Sequence, residues 1–182
     1  MDTLRTDRQL RLIAEVLTTS AECGVPLWLR GGWAMDLFLG EVTRDHRDID
    51  WFAWADDAER LSAELTRRGY RRVAGLPPEQ QIDMVKDGED LSFNLLRRDE
   101  SDRVVVGGGP WAGAPWPQDL LEPHTGRIGS LSAPIIAPRA QIEIKQMMPI
   151  WVPGSPRRPK DTEDIARIRA ALASARPPRP GT

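Results

Sequence analysis

Asp48 and Asp50 bracket one apolar residue, Ile49, and the apolar run Trp51-Phe52-Ala53-Trp54 follows at once. In an extended chain, residues two apart project to the same face. The two carboxylates would then stand side by side while Ile49 turns into the core. Such a pair repels unless a cation lies between its members. A hard divalent ion such as Mg2+ takes oxygen pairs of this kind and completes its shell with water and phosphate. Upstream, Gly31-Gly32 separates a strand-like run from a helix-like one. Without side chains, these residues would let a phosphate approach the backbone N–H groups at the start of a helix. Either motif alone is common as surface decoration or as a turn. Together they have the composition of a phosphoryl- or nucleotidyl-transfer site.

The elements that must carry these residues can be read from periodicity. Leu10, Ile13, Ala14, Leu17 and Ala21 recur at helical spacing, which predicts an amphipathic helix over residues 4–22, ended near Gly24. Residues 25–30 form a short strand, 33–40 a short helix stopped by Gly40, and 49–55 a buried strand. Asp56-Asp57 can cap a helix over 57–68. Residues 82–96 hold two apolar runs joined by Lys86-Asp87-Gly88-Glu89, a strong hairpin signal. Residues 70–75 and 103–106 add strand candidates. The Gly-, Pro- and Trp-rich stretch 107–134 reads as a long ordered loop. Helices are expected over 138–148 and 160–173, and the tail 175–182 is expected to be disordered. This order predicts an α/β (α+β) chain with one domain over 1–174, a mixed sheet flanked by helices, and a helical C-terminal part over 138–173.

Of the 182 residues, 40% are hydrophobic and 29% charged, the composition of an ordinary globular protein. The single Cys23 excludes an internal disulfide and a cysteine-built zinc site. No apolar run approaches the roughly 20 residues of a membrane span, and the charged N-terminus lacks a signal peptide's apolar core, so a cytoplasmic location is expected. A net charge of −2 lacks the basic footprint of a nucleic-acid binder. Among the seven tryptophans, Trp28, Trp33, Trp51 and Trp54 fall in core elements. Trp111, Trp116 and Trp151 fall in loops, where they either stack on a ligand ring or pin the loop down.

The segment Leu27-Trp28-Leu29-Arg30-Gly31-Gly32-Trp33-Ala34-Met35-Asp36, with Leu39-Gly40-Glu41-Val42-Thr43-Arg44 and His46-Arg47-Asp48-Ile49-Asp50, closely resembles the signature of small aminoglycoside and lincosamide nucleotidyltransferases. These belong to the DNA polymerase β-like nucleotidyltransferase superfamily. The strong match covers residues 27–52. The resemblance implies the polymerase β-like fold, with Gly31 and Gly32 holding the nucleotide's phosphates and Asp48 and Asp50 binding Mg2+. It places Arg44 and His46 just outside the carboxylates, to neutralise phosphate or to fix the loop. Asp36 is expected to brace that loop, and Arg30 to add a phosphate contact. Lys145 and Lys160 match later basic elements that approach the triphosphate, while Asp161 and Asp164 are expected to be structural.

The family pattern also expects a third carboxylate on a later strand, as metal ligand or as general base. Here Ser92 or Asn94 stands at that place, and Asp90, on the same face, is the acid that can replace it. The expected activity is Mg2+-dependent transfer of AMP from ATP to a hydroxyl of a small acceptor such as an aminoglycoside, releasing pyrophosphate. Glu89, Asp90, Asp99, Glu100, Asp102, Asp119 and Glu122 either meet the acceptor's amines or form a solvated surface. Two alternatives keep the fold: a protein or tRNA acceptor, and a degenerate module that binds nucleotide without turnover. A monomer or homodimer is expected.

Overall fold

The computed structural model describes residues 2–152, 154, 156 and 158–174; the tail over 175–182 lies outside the described residues. Helix α1 spans Thr3–Cys23, with the Asp2 carboxylate accepting from the Arg5 N–H and Gly24 in the left-handed region at its end. Strand β1, Leu27–Arg30, runs directly into α2, Gly31–Leu39. Strand β2, Asp48–Trp54, is followed by a 3-10 turn and by α3, Ala58–Arg67. Then come β3, Arg71–Val73, β4, Gln81–Lys86, β5, Glu89–Arg98, and β6, Val104–Val106. Strands β7, His124–Ile128, and β8, Leu131–Ile135, precede α4, Pro138–Trp151, and α5, Pro159–Ser174.

Residues 107–134 are therefore not one loop, because their last third folds into the β7–β8 hairpin around Gly129-Ser130. Helix α4 also runs three residues beyond its expected end, past Pro149, and so takes Trp151 out of the loops.

The strands form one mixed sheet in the order β3-β4-β5-β2-β1-β8-β7, with β6 pairing to β5 beyond the reach of β4. Strand β2 runs antiparallel to β1 and parallel to β5, so it lies at the centre of the sheet. Alternation divides its side chains between two cores. Ile49, Trp51 and Ala53 join Leu91, Phe93 and Leu95 of β5 beneath Leu12, Ile13 and Val16 of α1 and Leu61 and Leu65 of α3. On the opposite face, Phe52 and Leu96 pack with Leu120, Ala140 and Ile144, so α4 and the 115–121 segment cover only that end of the strands. The other end, which carries Asp48 and Asp50, stays open. Both of these residues are more exposed than the neighbouring Ile49 and Trp51, which are fully buried.

Candidate active site

The parallel register sets Asp48 beside Asp90, Asp50 beside Ser92 and Phe52 beside Asn94. Ser92 Oγ donates to Asp50 Oδ1 at 2.7 Å. Where the resemblance placed a third acid, a hydroxyl therefore orients one of the pair. The β4–β5 hairpin extends the same rows by one strand and puts Asp83 opposite Ser92. Asp48, Asp50, Asp83, Asp90, Ser92 and Arg30 all line one open cleft of about 410 Å3. Asp90 thus reaches the cleft, as expected. Asp83 is an acid that sequence reasoning missed. Its Oδ1 accepts from Gln81 Nε2 at 2.7 Å, and its carboxylate packs against the bare backbone of Gly75. A signal was present: an Asp87-Gly88 two-residue turn pairs Lys86 with Glu89 and therefore Asp83 with Ser92.

Among the described residues neither Asp48 nor Asp50 forms an ion pair. Burial pushes the Asp48 carboxyl above its ordinary range, and the Asp50 charge adds to that shift. Lys160, His46 and Arg158 pull it back in part. Two neighbouring carboxylates on one face, neither of them in an ion pair among the described residues, suit a divalent cation. No group of three His, Cys, Asp or Glu side chains among the described residues gathers closely enough to hold a metal. The donor set therefore fits an ion that takes two protein oxygens and draws its remaining ligands from water and a phosphate chain, as Mg2+ does.

The glycine pair is explained by the groups behind it. Gly31 adopts φ +69°, and a β-carbon there would lie 2.6 Å from Asp50 Oδ2. A β-carbon on Gly32 would overlap the His46 imidazole and reach 3.0 Å from the Arg44 guanidinium. Gln141 on α4 donates to the Gly31 carbonyl at 2.6 Å, fixing the turn. The N-cap residue of α2, Arg30, makes no capping hydrogen bond, so the helix presents backbone N–H groups without a side-chain partner.

The segment between α2 and β2 is braced from three sides. Asp36 is fully buried and accepts from the Thr43 hydroxyl at 2.7 Å, the Thr43 N–H at 3.1 Å and His46 Nε2 at 2.6 Å. Arg44 can only donate to His46 Nδ1, at 3.1 Å, so Nε2 carries the proton given to Asp36. His46 is thereby a brace for the loop, and Asp36 braces it as expected. From α1, Gln9 Nε2 donates to the His46 carbonyl and Gln9 Oε1 accepts from the Trp33 indole. Arg44 also donates to Asp164 at 3.0 Å, tying the loop to α5.

The basic residues separate into two kinds. Lys145 is buried, with Nζ 2.7 Å from Asp164 and 3.4 Å from Asp161, so its ammonium joins α4 to α5. That is a structural ion pair where a phosphate contact was expected. Asp161 also accepts from Arg158 at 2.8 Å. Lys160 has no hydrogen bond or ion pair among the described residues; burial lowers its pKa and the neighbouring Arg158 and Arg44 charges lower it further. Among the described residues it is a cation beside Asp48 that carries no ion pair. Arg30 stacks its guanidinium on Phe52, 4.5 Å from the ring centroid, while facing the Asp50 and Asp48 charges. Of the other acids weighed for amines, Glu89 is buried under Arg5, Arg8 and Gln9 and holds the β4–β5 hairpin to α1. Asp99 is taken by Arg103 and the Ser101 N–H. Asp90 alone of that group lines the cleft.

Comparison with known proteins gives the family and the fold. A 2''-aminoglycoside nucleotidyltransferase from Klebsiella pneumoniae is 52% identical over 63 residues, 35% of this chain and 36% of that protein. A lincosamide resistance protein from Staphylococcus haemolyticus is 34% identical over 59 residues, 32% of this chain and 37% of that one. These alignments span little more than a third of each relative's length. The crystal structure of ANT(2'')-Ia in complex with adenylyl-2''-tobramycin superposes with a TM-score of 0.71 at 26% identity, covering 92% of this chain and 91% of that one. Lincomycin-bound LnuA, at 19% identity and a TM-score of 0.68, shares the fold over 87% of this chain and 95% of its own. The architecture is the polymerase β-like nucleotidyltransferase fold. A family model for aminoglycoside-2''-adenylyltransferase matches residues 12–168, and the chain belongs to that family.

Proposed function

We propose that the protein transfers AMP from ATP to a hydroxyl of a small acceptor of the antibiotic kind and releases pyrophosphate. The observation that carries this reading is the open Asp48–Asp50 couple, without an ion pair among the described residues, set against the uncapped start of α2. Asp48 and Asp50 would hold Mg2+, which neutralises charge on the triphosphate when bound. The backbone N–H groups at Gly31 and Gly32 would hold the terminal phosphates, where the helix dipole favours negative charge. Lys160 would add a cation beside them.

In the step itself the acceptor oxygen forms a bond to the α-phosphorus as the bond from that phosphorus to the bridging oxygen breaks. Pyrophosphate leaves with those electrons, and the hydroxyl proton passes to a carboxylate. Asp83 and Asp90 both line the cleft and supply that base in place of an acid at position 92 or 94. Catalysis then rests on positioning and fixed charge. With two acids at the cleft, the degenerate alternative loses the missing base that favoured it. Relatives named for aminoglycosides and lincosamides make those compounds the first acceptors to try.

The test is incubation with ATP and MgCl2 against a panel of both antibiotic classes, reading acceptor mass. A gain of one AMP, lost in Asp48→Ala, is the expected result. ATP binding with no acceptor modified across the panel would overturn the reading in favour of a binding module.

A further inference from the structure

Asp48 has less of the sheet around it than Asp50 has. The β1–β2 ladder ends at the pair Arg30 and Asp50, so β5 alone flanks Asp48, with Asp90 beside it at the first step of the β2–β5 register. Strand ends flanked on one side open first. Support for this pair comes from outside the sheet, on α1. The buried stripe of that helix runs Gln9, Leu12, Ile13 and Val16, so an amide stands where the pattern calls for an apolar side chain. A buried amide is costly unless its polar atoms are used. Gln9 uses both N–H groups and its oxygen. Nε2 donates to Glu89 Oε2 at 2.7 Å and to the His46 carbonyl at 3.3 Å, and Oε1 accepts from the Trp33 indole at 3.0 Å. The indole only donates, and the carboxylate and the carbonyl only accept, so the amide has one orientation.

Glu89, 1% exposed, is the hub of these contacts. Besides Gln9 it meets Arg5 Nε at 2.9 Å and Arg8 Nε at 2.8 Å. The Arg5 guanidinium reaches on to the Arg47 carbonyl at 2.8 Å. The carbonyls of His46 and Arg47, the two residues before Asp48, are thus tied through α1 to the side chain that precedes Asp90. An ion pair to a buried carboxylate adds little net stability, because desolvation offsets most of the attraction; its better-attested use is to fix register. We propose that Gln9, Glu89 and Arg5 form a clamp that sets Asp48 beside Asp90, and that they are positioning residues for the magnesium–nucleotide complex although none of them lines the cleft. The inference rests on the transfer reading and extends the site to a helix that contributes no residue to the cleft itself.

Two variants test it. Gln9→Met keeps the length of the side chain and loses all three hydrogen bonds. Arg5→Lys keeps the charge that neutralises Glu89 but loses the fork that spans Glu89 and the Arg47 carbonyl. Arg5 is 34% exposed, enough to leave folding intact, so this variant decides the matter should Gln9→Met fail to fold. Val105→Ala removes buried volume opposite Arg97, at the other end of β5, and is the control for lost stability. Calorimetric titration with the non-hydrolysable ATP analogue AMPCPP measures how far MgCl2 strengthens binding. Hydrogen exchange read by mass spectrometry follows peptides covering 45–50 and 87–92. In Gln9→Met the affinity with MgCl2 should fall about tenfold, as when a group supporting a metal ligand is removed, and the magnesium-free affinity should stay at the parent value. Arg5→Lys should move the same way by less, both peptides should lose protection, and Val105→Ala should keep the parent's magnesium gain. A parent that gains nothing from MgCl2 removes the transfer reading and this inference with it. A parental gain that survives intact in both Gln9→Met and Arg5→Lys, or falls equally in Val105→Ala, overturns the clamp alone, as does unchanged exchange at both peptides.

Discussion

Replacing Gly31 by alanine tests how the site is held together, because the structure separates two costs that usually come together. Gly31 and Gly24 have nearly the same backbone angle, φ +69° and +65°. An L-residue there pays roughly 1–2 kcal/mol for left-handed geometry. At Gly24 nothing lies within 4 Å of an added β-carbon, so Gly24→Ala should show the backbone cost alone. For a chain of this size that lowers Tm by about 2–4 °C for each kcal/mol. At Gly31 the same methyl meets Asp50 Oδ2 at 2.6 Å, and that carboxylate is also held by Ser92 at 2.7 Å. Asp50 must move by nearly 1 Å to restore an ordinary contact, and misplacement on that scale costs on the order of a hundredfold in rate. Gly31→Ala should therefore match or modestly exceed the Tm loss of Gly24→Ala while losing about two decades of pyrophosphate release. The assays are thermal unfolding by circular dichroism and a coupled pyrophosphate assay with ATP, Mg2+ and a working acceptor. Parent-like turnover in Gly31→Ala would refute the claim that the glycine exists to admit Asp50.

The remaining predictions follow from the same contacts. One of Asp83→Asn and Asp90→Asn should reduce turnover by roughly a hundredfold or more with little effect on the KM for ATP, as loss of a general base does; parent-like steady-state kinetics in both variants would remove the carboxylate base from the account. Lys160→Met should raise the KM for ATP with Tm nearly unchanged. Lys145→Met, by contrast, should lower stability by about 3 kcal/mol in urea unfolding, because it leaves Asp161 and Asp164 short of a buried partner. For Asp164, burial raises the carboxyl pKa, but the hydrogen bonds and charges of Arg44 and Lys145 outweigh it, so the folded pKa lies below the ordinary value. Its contribution is complete above the unfolded pKa, about 3.9, and is lost as pH falls through the lower folded value. Asp164→Asn should therefore flatten the acid end of a stability–pH profile; an unchanged acid limb would contradict this.

How much of this was legible without coordinates depends on whether a feature is local. The Gly31-Gly32 turn, the Asp48–Asp50 alternation and the Asp87-Gly88 hairpin are each set by residues within one or two elements, and the structure contains all three. Asp83 is equally local, but the family pattern points to an acid on β5, and Asp83 joins the site only through the β4–β5 register that sets it opposite Ser92. The β7–β8 hairpin was hidden by Pro134 inside β8 and by Gly126 inside β7, residues that weaken strand signals. Strand β7 tolerates Gly126 as an edge strand, and the glycine is required because a β-carbon there would lie 2.6 Å from Leu37 Cβ. The fate of Lys145 was not legible. Its partners are 16 and 19 residues away on another helix, and only packing of α5 on α4 shows that its charge is already used. Arg30 is similar, since its stacking on Phe52 comes from the antiparallel β1–β2 register combined with the Trp116 segment.

The central claim is that Asp48 and Asp50 are left unpaired to receive a magnesium–nucleotide complex. Calorimetric titration with the non-hydrolysable analogue AMPCPP, with and without MgCl2, tests it without requiring an acceptor. The account predicts that MgCl2 strengthens binding to the parent protein by at least about tenfold, and that Asp48→Asn and Asp50→Asn each abolish that gain. It also predicts that the gain shrinks as pH falls into the elevated range where Asp48 takes up a proton. A magnesium effect that survives intact in both variants would contradict it.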